Sequence, residues 1–198
     1  KCKRKYKFQV IDKLVPKEKK PVLSIGTACH AGRAEWLRSR DSLAAVLAAE
    51  RSLQAELTAF PQLTERAHDE KECVRRPCAK CCTRIVLEVV SSYCSVFADR
   101  FPGNAICVLA IEVPFEISLA SHEDIELYLT GTIDADVIFA EKYRMNFEYK
   151  TTSVVLSSYF EREKMSEQHT AYGLAQREIT GETPYGTLLD VTRKPLKT

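Results

Sequence analysis

Two neighbouring stretches carry the side chains best suited to chemistry: LYLTGTIDADVIF (127–139) and YRMNFEYK (143–150). Both alternate like strands, in which successive side chains point to opposite faces. In the second, Tyr143, Met145, Phe147 and Tyr149 share one face, and Arg144, Asn146, Glu148 and Lys150 the other. In the first, Leu127, Leu129, Ile133, Ala135, Val137 and Phe139 share one face, and Thr132, Asp134 and Asp136 the other. The short AEK between them makes a hairpin the natural connection. If both apolar faces enter one core, Asp134, Asp136, Glu148 and Lys150 gather on the opposite face of adjacent strands. A solvated face of mixed charge is one reading of that gathering. The other is a divalent-cation site, because ions such as Mg²⁺ take carboxylate oxygens and keep room for water and phosphate. A lysine beside such an ion can offset charge developing on a phosphate.

The elements that must hold these strands are legible from periodicity. His30 to Phe60 reads as one helix: Leu43, Val46, Leu47, Leu53 and Leu57 recur at steps of three, four and their multiples, and Pro61 ends the run. Polar residues 62–83 read as a loop or small insertion, and a second helix is expected over 84–98, with Val86, Val89, Val90, Tyr93 and Phe97 on one stripe. Strands over 105–117, 127–139 and 143–150 follow, then a helix over 164–179 and a last strand over 185–192. The order predicts one mixed α/β domain over 1–198, with a helical, cysteine-containing insertion over about 40–100 ahead of the sheet.

The 198 residues are 28% charged and 45% hydrophobic, the balance of an ordinary globular protein. No apolar stretch approaches the roughly 18 residues of a membrane span, and no leader opens the chain, so membrane and secreted readings are disfavoured. The net charge of +2 hides an asymmetry, for residues 1–20 hold nine Lys/Arg against Asp12 and Glu18. A basic arm on a mildly acidic body suits a polyanionic partner, or is simply a solvated terminus. Of eight cysteines, four cluster as Cys73, Cys78, Cys81 and Cys82 in ECVRRPCAKCC. Cys78 and Cys81 form a CxxC with no second CxxC or HxxxH at finger spacing, so a weakly constrained surface insertion is expected rather than a zinc site. With no initiator Met and an end at Lys197-Thr198, the chain is expected to be a fragment of a longer protein.

Gly131-Thr-Ile-Asp134, followed by Glu148-Tyr149-Lys150-Thr151-Thr152-Ser153, resembles the core signature of the PD-(D/E)XK nuclease superfamily. Three further marks resemble its RecB-type branch, the branch of CRISPR-adaptation and AddB-like nucleases. Gly26 and His30 in SIGTACHAGRAEWL resemble its Gly-x-x-x-His helix start. Gln168-His-Thr-Ala-Tyr172 is similar to its Gln-x-x-x-Tyr helix. Cys2-Lys-Arg-Lys-Tyr6 is similar to the Cys-Pro-Arg-Lys-Tyr that often opens such domains, with Lys3 in place of the proline. The ending LLDVTRKP resembles phage-encoded members.

The resemblance implies a restriction-endonuclease-like fold, a mixed β-sheet core flanked by helices, that hydrolyses phosphodiesters of DNA with a divalent metal. It implies an exonuclease of the bacterial cytoplasm or of a phage-infected host. Carried over by residue, Asp134 and Glu148 would hold Mg²⁺ or Mn²⁺ with the backbone carbonyl of Tyr149 and a nitrogen of His30. Lys150 would stabilise the transition state. Gln168 and Tyr172, four apart and so on one helix face, would support the site. Glu112 lies where such nucleases often carry an acidic residue, whereas Asp136 is not a defining position. Some RecB-type nucleases hold a [4Fe–4S] cluster on one cysteine before the motif histidine and three after the Gln-x-x-x-Tyr helix. Here no cysteine follows Cys107, so no cluster is expected in this chain. The implied partners are single-stranded DNA or duplex ends, and a helicase or recombinase beyond the chain ends. Two rivals remain open: a catalytically inactive nucleic-acid-binding module of the same fold, and an interaction domain stabilised by a metal on Cys73–Cys82.

Overall fold

A computed structural model of the chain describes residues 20–65, 67–69, 73, 77–101, 105–122, 125–152, 154–163 and 166–193. The basic segment 1–19 with its Cys2–Tyr6 motif lies outside the described residues, as do Lys194 and Pro195 of the terminal motif.

Helix α1 (Pro21–Ser39) begins with Pro21 in its first turn, where no backbone donor is needed. The single helix expected from His30 to Phe60 is in fact two. Arg40 takes φ 56, in the left-handed region, and its N–H closes on the Trp36 carbonyl at 2.9 Å. Asp41 then caps helix α2 (Ser42–Ala59), accepting from the Leu43 and Ala44 N–H groups at 2.8 and 3.2 Å. The apolar period over Leu43–Leu57 marks the helix but not its start; the Asp41-Ser42 pair does.

Helix α3 (Ala79–Arg100) buries Ile85, Val86, Val89, Val90, Tyr93 and Phe97 along one stripe. It also corrects an expectation: its 22 residues include a window of mean hydropathy 1.4, long and apolar enough by composition to cross a membrane. Half of that window is buried inside the protein, where the stripe packs against α1, α2 and the sheet.

Strands β1 (Ile106–His122), β2 (Ile125–Phe139) and β3 (Tyr143–Thr152) follow, then helices α4 (Leu156–Glu163) and α5 (Glu167–Thr180) and strand β4 (Gly186–Arg193). The sheet order is β1-β2-β3-β4, antiparallel except for the parallel β3–β4 pair, which α4 and α5 connect. This mixed α/β sheet flanked by helices is the architecture of a restriction-endonuclease-like fold.

The main core joins Ile25, Ala28 and Leu37 of α1, Ala49 and Leu53 of α2, the stripe of α3, and Ala135, Val137, Phe147 and Tyr149 of the sheet. Helices α2 and α3, ahead of the sheet in sequence, supply more than half of it. The three helices meet closely at Gly32, where a Cβ would stand 3.0 Å from Ala49 and Val90 side-chain carbons. Strands β1 and β2 pair from Ile106↔Phe139 to His122↔Ile125, but β3 joins β2 only from Phe139↔Tyr143 to Ala135↔Phe147. Among the described residues, the far half of the β1–β2 hairpin therefore has no third strand beside it. Leu127, expected in the core, is 56% exposed for that reason. Phe115 and Ile133 instead pack with Tyr172 and Ala175 of α5, and the partly buried Leu129 joins them.

The cysteine segment also departs from expectation. Cys73, Cys78 and Cys81 are not on a loosely held surface insertion: each is 2–3% exposed, and together they form a cluster separate from the main core.

Candidate active site

The β2–β3 ladder stops one residue short of Glu148. Beyond it the Tyr149 N–H donates to the Asp134 Oδ2 at 2.8 Å, so a side chain takes the place of the next strand carbonyl. On its other side β3 stays paired with β4, from Met145↔Gly186 to Thr152↔Arg193. The two strands thus part at a fork held by one carboxylate, with Glu148 and Lys150 on its β3 limb. The solvated-face reading fails at its centre: Asp134 is 7% exposed and Glu148 1%.

His30 reaches the fork from the middle of α1. Its Nδ1 lies 3.7 Å from Asp134 Oδ1, and its ring meets Tyr149 edge-on at 5.3 Å between centroids. Burial, followed by the nearby Arg33 and Lys150 charges, lowers the imidazole pKa to about 4, although a hydrogen bond with the Tyr149 backbone pulls the other way. His30 is therefore neutral at pH 7, the form that ligates a metal. Burial and then the Glu148 charge push the Asp134 carboxyl up to about 7, against the Tyr149 N–H bond that favours its anion. A carboxylate raised this far by burial and a like charge is short of positive charge.

Across β3, Lys150 Nζ donates to Glu148 Oε1 and, at 3.0 Å, to Gln168 Oε1. Gln168 Nε2 donates in turn to Glu148 Oε1 at 2.9 Å and to the Tyr172 hydroxyl at 2.6 Å. One turn of α5 therefore locks the lysine to the carboxylate, with Gln168 and Tyr172 on the same helix face. Tyr172 is fixed by Phe115, ring edge to face at 5.9 Å. The Phe115 ring lies across Gly131, where an added Cβ would stand 2.6 Å from it. The glycine of the Gly-x-x-Asp motif is thus needed as bare backbone under an aromatic ring.

Of the positions read from sequence, His30, Asp134, Glu148, Tyr149, Lys150, Gln168 and Tyr172 come together. Asp136 goes elsewhere: it is buried in an ion pair, with Arg144 Nη2 2.6 Å from Oδ2 and Gln176 Nε2 donating to Oδ1. Glu112 joins the group. Its neighbours pair as Ile111↔Ala135 and Val113↔Ile133, which sets it across from Asp134. It holds φ 53, a left-handed conformation that costs a non-glycine residue about 1–2 kcal/mol. Arg33 was not foreseen, although it is three residues from His30 on the same helix. It is fully buried, its Nη1 donates to the Lys150 carbonyl at 3.4 Å, and its guanidinium stacks 4.8 Å from the Tyr93 ring centre.

These groups fit a cation. One ligand atom from each of His30, Glu112 and Asp134 lies within 4.8 Å of the others. Glu148 Oε2 is buried with no hydrogen-bond partner among the described residues, a deficit of about 1–3 kcal/mol for a polar atom. Carboxylate oxygens with one imidazole form the donor set of a hard or borderline divalent ion.

A family model, the PD-(D/E)XK nuclease superfamily, matches residues 1–195. Comparison with curated proteins returns no match. The match covers nearly the whole chain: the chain belongs to the PD-(D/E)XK nuclease superfamily, nucleases that work with divalent metals.

Proposed function

We propose that this chain is a metal-dependent deoxyribonuclease of the RecB type that trims DNA from ends, with His30, Glu112, Asp134 and Glu148 as the ligands of Mg²⁺ or Mn²⁺ and the Tyr149 carbonyl beside them. The observation that carries the reading is the unpartnered Oε2 of Glu148, next to the close set of His30, Glu112 and Asp134. A divalent ion bound there supplies positive charge to a phosphate oxygen and lowers the pKa of water.

The remaining work falls to the chain itself. Hydrolysis adds a water oxygen to phosphorus and breaks the bond to one sugar oxygen, and negative charge builds on the non-bridging oxygens. Lys150, held by Glu148 and Gln168, is oriented to meet that charge without further side-chain ordering. Arg33 fixes the backbone that carries Lys150. Tyr172 keeps Gln168 from turning away. Basic residues before α1 would contact the phosphate backbone, binding whose strength falls with salt.

The test is cleavage of end-labelled single- and double-stranded DNA with Mn²⁺, Mg²⁺ or EDTA, beside Lys150→Ala. Metal-dependent release of short products from ends, lost in the variant, is expected. Internal cuts would make the enzyme an endonuclease. Binding without cleavage under any metal would leave the inactive-module reading.

A further inference from the structure

We infer that the segment between α2 and α3 holds a structural zinc ion on His68, Cys73, Cys78 and Cys81, independent of the nuclease site. The Nδ1 of His68 lies 3.6 Å from the Cys73 Sγ, 3.5 Å from the Cys78 Sγ and 3.5 Å from the Cys81 Sγ. With Zn–S near 2.3 Å and Zn–N near 2.0–2.1 Å, the N···S edge of a tetrahedron is about 3.6 Å. One imidazole nitrogen equidistant from three sulfurs is what a shared central ion requires. All four ligand atoms lie within 4.8 Å of one another. A four-iron cubane, whose irons occupy separate corners, needs its ligands spread wider than this cage.

The surroundings agree. The cysteines are free, and a disulfide between any two would strand the third. Among the described residues their cluster contains no other buried apolar side chain, so apolar burial there contributes little to holding the three cysteines together. A closed four-ligand site supplies that hold, since metal binding becomes folding free energy. Cys78 caps α3 and Cys81 lies in its first turn, where the positive end of the helix favours thiolates. The spacing is His-x₄-Cys-x₄-Cys-x₂-Cys, more compact than a finger, and its histidine precedes the cysteines. Cys82 points elsewhere, its Sγ near the Pro77 carbonyl at 3.8 Å, and belongs to the main core. Sulfur-rich and oxygen-rich donors thus suit two different metals at two separate groups of side chains.

The test is metal analysis of the full chain after EDTA dialysis, which strips the carboxylate site, followed by titration with a mercurial that attacks thiolates. One zinc per chain, released in step with thiol modification, is expected. Cys81→Ser should lose that zinc and Cys82→Ala should keep it. Should Cys81→Ser not fold, Co²⁺ substitution carries the test: the wild type should give the intense visible bands of tetrahedral cobalt with thiolate charge transfer, shifted to longer wavelength in His68→Cys. Iron with acid-labile sulfide, zinc indifferent to the mercurial, or weak cobalt bands of octahedral type would each overturn the assignment.

Discussion

Asp134→Asn should make the metal-free protein more stable while depriving it of its metal. The substitution keeps an oxygen that can accept the Tyr149 N–H but removes the charge that burial and Glu148 oppose. A carboxyl raised from 3.8 to about 7 on folding weakens the fold once it ionises. That penalty is absent below the unfolded value of 3.8, grows as the pH rises toward 7, and levels off above it. Its full size is about 4 kcal/mol, on the order of 10 °C in Tm for a chain of this length. His30 works with the opposite sign: lowered from 6.5 to about 4, it contributes stability that is present above pH 6.5 and lost as the pH falls toward 4. In the wild type the two slopes largely cancel. In Asp134→Asn the histidine slope should no longer be offset by Asp134, so the melting temperature should rise more steeply, or fall less, between pH 4 and 6.5 than in the wild type. Scanning calorimetry in EDTA from pH 4 to 8, repeated with Mn²⁺, provides the assay. The wild type should gain melting temperature on adding Mn²⁺ at pH 8 and far less at pH 5, where Asp134 is protonated. A variant no more stable than wild type at pH 8, or one that keeps the Mn²⁺ response, would refute the reasoning.

Lys150→Ala should abolish cleavage while leaving the Mn²⁺ melting shift and DNA retention in gel-shift assays close to wild type; normal cutting would remove Lys150 from the chemistry. Glu112→Gln should raise the Mn²⁺ concentration for half-maximal cleavage about tenfold, on the order of 1.4 kcal/mol, and an unchanged titration would show that Glu112 does not touch the metal. Gly131→Ala, which drives a methyl against the Phe115 ring, should cost about 1–3 kcal/mol and several degrees in Tm; an unaltered melt would mean that the ring yields freely.

The sheet and the cluster of motif side chains were legible because period-two alternation places alternate residues on one face regardless of tertiary detail. Strand β3, expected over 143–150 and found over Tyr143–Thr152, starts where the alternation predicts and runs two residues further. Three features were not legible. The break at Arg40–Asp41 depends on one left-handed residue and one cap, both invisible to hydrophobic periodicity. The exposure of Leu127 depends on how far β3 runs beside β2, which no property of β2 reveals. The convergence of His68 on three cysteines depends on the path of a loop, and a search at finger spacing passes over it. Arg33 belongs with these, because its partner is a backbone carbonyl more than a hundred positions away.

The carboxylate at the fork has a consequence for how such enzymes lose their activity over generations. Asp134 does the work of a missing rung in the sheet. Any replacement without an acceptor leaves the buried Tyr149 N–H unmet, a loss of about 1–3 kcal/mol. Asparagine escapes that loss, whereas the Lys150 side chain donates to Glu148 and Gln168 and the Glu148 side chain accepts from Lys150 and Gln168, bonds that replace no rung of the β2–β3 ladder. Descendants retired from cleavage should therefore drift first at the positions of Glu148 and Lys150 and retain aspartate or asparagine at 134. In a survey of relatives, aspartate or asparagine at 134 is a sign of a sound sheet, and a working enzyme requires aspartate there together with intact positions 148 and 150.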